Sequence, residues 1–83
     1  MKISDNISWK KLQDKIVAVN LTSGAYYTMN EVAGRIWELL SEGKSPEETA
    51  ETLAGEFDNE TGEILKDVNE QLEYWQSEGL LDN

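Results

Sequence analysis

The most constraining feature of this sequence is a switch in hydrophobic period at Met29-Asn30. Before it, apolar residues alternate in short β-branched runs; after it, they recur at helical spacing to the end of the chain. Strands first and helices afterwards, in a chain of 83 residues, describe one α+β domain with a sheet gathered to one side of a helical core.

The strand half reads as a meander. Lys15-Ile16-Val17-Ala18-Val19-Asn20-Leu21 alternates, with Val17, Val19 and Leu21 on one face and Ile16, Ala18 and Asn20 on the other. Thr22-Ser23-Gly24 is a three-residue turn ending in glycine, which supplies the left-handed conformation a tight loop needs. Ala25-Tyr26-Tyr27-Thr28 returns as the third strand, and Ile7 to Leu12 precedes both as the first, with Gln13-Asp14 as its turn. The strand ranges are 7–12, 15–21 and 25–28. In that order the third strand is a sheet edge, whose unpaired N–H and C=O groups can accept another strand.

Asn30 is placed to cap the first helix, 31–42, in which Ala33, Ile36, Trp37 and Leu40 fall on one face. Ser45-Pro46-Glu47-Glu48 is a capping box with proline at the first helical position, opening a helix over 46–57 that Asp58-Asn59 closes. Ala50, Leu53, Ala54 and Phe57 are its inner stripe. The third helix spans 61–78, with Ile64, Leu65, Val68, Leu72 and Trp75 along one side and Gly79 as its stop, after which Leu80 and Leu81 fold back onto the core. Helix lengths and short joints suggest a winged-helix-like, tri-helical arrangement.

Composition removes most chemistry. There is no cysteine and no histidine, which excludes thiol nucleophiles, disulfides and the usual neutral-pH proton carrier, and leaves no zinc-ligand cluster. Carboxylates such as Glu47, Glu48 and Glu51, or Glu63, Asp67 and Glu70, recur at the spacing of solvated helix faces. The chain therefore reads as non-catalytic, without metal or cofactor. Seventeen acidic residues against seven basic ones give a net charge of −10, which repels phosphate backbones and anionic membranes. The third helix, where a winged-helix DNA reader carries its base contacts, has Glu63, Asp67, Glu70, Glu73 and Glu78 against Lys66. The absence of any signal-like or membrane-spanning apolar run, together with the absence of cysteine, points to the cytoplasm.

The order of these motifs resembles a known family. Val17-x-Val19-Asn20-Leu21-Thr22-Ser23-Gly24-x-Tyr26-Tyr27-x-Met29-Asn30 leads to Ala33-x-x-Ile36-Trp37-x-Leu39-Leu40 and then Gly43-x-Ser45-Pro46-Glu47-Glu48. Asp67-Val68-x-x-x-Leu72-x-x-Trp75-x-x-x-Gly79-Leu80-Leu81 completes the pattern. It is similar to the PqqD family, the recognition elements for precursors of ribosomally made, post-translationally modified peptides, over essentially the whole chain. The resemblance implies a peptide chaperone. It would bind the leader segment of a precursor as a strand added to the third strand, and present it to a modifying enzyme such as a radical SAM protein, cyclase or protease.

Carried onto this chain, the resemblance implies an edge at Ala25, Tyr26, Tyr27, Thr28 and Met29, with the opposite wall on the third helix. Ile64, Val68, Leu72 and Trp75 centre that helix's buried stripe, and Asp67, Gln71 and Tyr74 form the flank favoured as groove lining. Asn69 and Gln76 lie on the other flank. Gln71 is polar where many relatives carry a larger apolar residue. The remaining readings are a general protein–protein adaptor using the same edge, and a degenerate winged-helix DNA-binding domain. A monomer or weak dimer is expected.

Overall fold

The computed structural model describes residues 2–57 and 60–82; the expected helix stop at Asp58-Asn59 lies outside them. The elements are β1 (Lys2–Ile3), β2 (Ile7–Leu12), β3 (Lys15–Asn20), β4 (Tyr26–Met29), α1 (Glu31–Ser41), α2 (Pro46–Phe57), α3 (Thr61–Ser77) and β5 (Leu81–Asp82). β2, β3 and β4 form a three-stranded antiparallel sheet in that order, so β4 is an edge. Sheet first and three helices after it is the α+β arrangement the sequence indicates.

Local chemistry fixes the turns. Leu12 pairs with Lys15 across a two-residue loop, and Gln13 takes φ 58° there, a conformation that favours glycine. The β3–β4 loop is wider than the sequence indicates. The Asn20 side chain accepts from the N–H groups of Thr22 and Ser23 at 2.9 and 3.0 Å, and Gly24 closes the turn at φ 80°. Asn20 N–H also donates to Ala25 C=O at 2.8 Å, which carries the ladder one residue beyond the regular strand.

The helix ends follow their signals. Asn30 Oδ1 accepts from Ala33 N–H at 2.9 Å to open α1. Ser45 and Glu48 exchange backbone-to-side-chain bonds of 3.0 Å in a capping box that opens α2. At the end of α3, Gly79 N–H bonds Gln76 C=O and Leu80 N–H bonds Trp75 C=O, a Schellman closure that drops Leu80, fully buried, against the helix it ends.

One feature has no local signal. Ile3 pairs with Leu81 and Lys2 with Asp82 in a small second sheet, and Ser4 Oγ donates to Asp82 at 2.8 Å. The return of Leu80 and Leu81 to the core is thus completed by a strand pair with the opposite end of the chain. The core is centred on Trp37 and Trp75, packed edge to face at 5.1 Å. Ile16 and Ala18 of β3 face it, as do Leu53, Val68 and Leu72. Burying aromatic residues of this size edge to face contributes more than their area alone.

Candidate functional site

The free side of β4 and one flank of α3 face each other across a groove of about 590 Å³. Tyr26, Tyr27, Thr28 and Met29 supply one wall. Asp67, Glu70, Gln71 and Tyr74 supply the other, with buried Trp75 at its base. Asn30 and Ala33 close the end where β4 turns into α1.

Which backbone groups of β4 are free follows from register. Antiparallel pairs alternate between residues that exchange both hydrogen bonds and residues that exchange none. Asn20 N–H donates to Ala25 C=O, so that pair is bonded, and by alternation so are Ala18 with Tyr27 and Ile16 with Met29. The other edge of β3 agrees, since Leu21 N–H donates to Asn6 C=O. Tyr26 and Thr28, opposite Val19 and Val17, therefore direct their N–H and C=O groups away from the sheet. Among the described residues no strand covers that edge.

The side chains alternate in the opposite sense. Tyr26 is 67% exposed, while Tyr27 and Met29 turn inward, Met29 to 4%. Tyr27 reaches across the groove, its hydroxyl donating to Glu78 Oε1 at 3.2 Å. Burial, then the hydrogen bond to Glu78 and the nearby charges of Glu78 and Tyr74, push the Tyr27 phenol above its ordinary 10.0. This contact ties the edge strand to the end of α3. The α3 wall is acidic: Asp67 and Glu70 lie one helical turn apart, and both are exposed.

The structure brings together Tyr26, Tyr27, Thr28, Met29, Asp67, Gln71, Tyr74 and Trp75. It places the other expected residues elsewhere. Ala25 precedes the groove and serves the loop, its C=O accepting from Asn20. Val68, Leu72 and Ile64 are buried and do not line this groove, because a helix that buries its stripe centre presents its flank to a groove beside it. Gln71 is half-buried on the α3 wall. Asn30 and Ala33 line the groove although the sequence did not single them out as contacts, and the acidic Glu70 lies there beside Asp67. Glu70 was legible from its i+3 spacing to Asp67, and Ala33 from its place one turn into the helix that follows the edge strand.

Among the described residues no group of acidic side chains is arranged to hold a metal ion, and no helix is long and apolar enough to cross a membrane. The carboxyls with a resolved shift move down. Glu48 is lowered by hydrogen bonds from Ser45 and Glu56 by its hydrogen bond to Arg35. Glu48 is engaged in the α2 capping box and Glu56 in an ion pair with Arg35.

Comparison with known proteins gives three findings. The family model described as coenzyme PQQ synthesis protein D (PqqD) matches residues 15–81. No curated protein matches the chain. Among solved structures, the chain is similar to TbiB1 in complex with the TbiA(beta) leader peptide, at 32% identity and TM-score 0.97, covering 100% of this chain and 96% of that one. It shares its fold with lasso peptide synthetase B1 complexed with the leader peptide, at 24% identity and TM-score 0.88, covering 95% and 93% of the two chains.

Proposed function

This chain belongs to the PqqD family, and from that premise we propose that it binds the leader segment of a ribosomally made precursor peptide and hands it to a modifying enzyme. The leader adds as a strand to β4, bonding Tyr26 and Thr28, and lies in the groove against α3. The observation that carries this reading is the outward-facing backbone of Tyr26 and Thr28 on an uncovered edge, beside a groove with an apolar base. A similar protein, TbiB1, has been solved with a leader peptide bound.

Backbone pairing gives affinity without much sequence preference. Specificity then comes from leader side chains that reach Met29, Ala33 and Trp75 at the groove base, and from Asp67 and Glu70, which favour a leader carrying Lys or Arg. The same acidic wall disfavours nucleic acid. In this reading the chain is a non-catalytic carrier that works in the cytoplasm, and the chemistry belongs to its partner, a radical SAM protein, cyclase or protease. The test is a titration with the leader encoded beside this chain's gene. An affinity on the order of micromolar or tighter, with amide shifts concentrated at residues 26–30 and 67–75, supports the proposal. No binding by any neighbouring leader defeats it.

A further inference from the structure

A second concavity lies on the helical half of the molecule. Val32 and Ile36 of α1, Leu53 and Phe57 of α2, and Ile64 and Val68 of α3 enclose about 210 Å³ of mainly apolar space. Its rim is completed by Asp67, which also stands on the wall of the β4–α3 groove. The two concavities therefore share a wall.

Size and chemistry narrow the occupant. Small-molecule sites run from roughly 300 to 1,000 Å³ and hold several polar groups that orient the ligand. This one is smaller and offers a single carboxylate, at its edge. It has room for one bulky side chain, and that side chain must belong to something held elsewhere. Val32 marks the entrance: it stands on the first turn of α1 and is 47% exposed.

The path of the chain says what is held nearby. β4 ends at Met29, Asn30 caps α1, and Val32 follows in the first turn. A peptide paired along β4 that continues past Asn30 crosses that turn with Asp67 opposite and arrives at the entrance. At about 3.3 Å per strand residue and 1.5 Å per helical residue, the entrance is roughly three peptide residues beyond the one opposite Thr28.

Resting on the strand-addition reading, we infer that the cavity between α1, α2 and α3 is a second subsite for the same peptide, receiving one large aliphatic or aromatic side chain. Recognition is then bipartite. The β4 edge takes backbone, and the helical cavity takes an anchor at a set distance along the peptide.

The probe is a random peptide library displayed on mRNA and selected on the full chain, followed by binding measurements on the enriched peptides. The expected result is a bulky apolar residue at a constant offset from a strand-forming segment. Replacing that residue by Ala weakens binding roughly ten- to hundredfold. On the variant Val32→Gln, which alters the entrance at an exposed position, the same replacement costs at least roughly threefold less, because the two changes share one contact. Shifts of the Leu53 and Ile64 methyl groups on peptide addition give the same answer without any substitution in the protein. Peptides that lose binding on Thr28→Pro but show no fixed apolar position, no methyl shifts or an anchor penalty unchanged on Val32→Gln overturn the second subsite and leave strand addition standing. Peptides indifferent to Thr28→Pro overturn both.

Discussion

Proline at adjacent positions of β4 separates the two faces of its backbone. Thr28 presents its N–H to the open edge, whereas the N–H of Tyr27 pairs with Ala18 inside the sheet. Proline on an edge strand is tolerated where the lost N–H faces solvent, so Thr28→Pro should leave the fold intact. A bound leader then loses one donor, and its own carbonyl is left desolvated without a partner, at a cost of about 1–3 kcal/mol. That corresponds to a rise in Kd of roughly five- to 150-fold, from an edge whose outward bonds contribute about 0.5–1.5 kcal/mol each. Tyr27→Pro instead strips a donor from the C=O of Ala18, which is fully buried, and should destabilise the domain itself by about 1–3 kcal/mol or more. Fluorescence anisotropy with a labelled leader reads the first effect, and urea denaturation followed by tryptophan fluorescence reads the second. A folded Thr28→Pro variant with native affinity, or a Tyr27→Pro variant as stable as the native chain, would refute the register argument.

Three further outcomes are expected. Gln13→Gly relieves the φ 58° conformation of the β2–β3 turn and should raise stability by about 0.5–1 kcal/mol in denaturant titrations, after the entropy that glycine adds to the unfolded chain is subtracted. Ser45→Ala removes the α2 cap at a cost of about 1 kcal/mol. Backbone and side-chain hydrogen bonds from Ser45 hold the Glu48 carboxyl below its ordinary 4.5, so its contribution is present above that pH and lost as pH falls through the lower folded value; the variant keeps the larger, backbone bond and should lose only the side-chain share of that acid dependence. If the leader is basic, the double substitution Asp67→Asn with Glu70→Gln should weaken binding at low salt and flatten its salt dependence, read by anisotropy between low and physiological ionic strength.

Much of this molecule is legible from local chemistry. The capping box at Ser45 and Glu48, the Asn30 cap and the Gly79 stop are all satisfied within a few residues, so their signals survive in the sequence. The edge position of β4 also follows from its place in a meander. The pairing of Ile3 with Leu81 was not legible, because two-residue strands carry no period and their partner is at the far end of the chain. The groove was legible only in outline. Helical spacing identified the α3 flank of Asp67, Gln71 and Tyr74, whereas Ile64, Val68 and Leu72 belong to the stripe that the helix buries and do not line the groove. Which amides of β4 point outward depends on one bond, from Asn20 to Ala25, and no alternation of apolar residues encodes that choice.

Amide hydrogen exchange on the chain alone and saturated with its leader tests strand addition most directly. The Tyr26 and Thr28 amides, which face the open edge, should exchange freely without the leader and become protected with it. The Tyr27 and Met29 amides, already bonded to β3, should show protection in both states. Tyr26 and Thr28 amides that remain unprotected at saturating leader would contradict strand addition at β4.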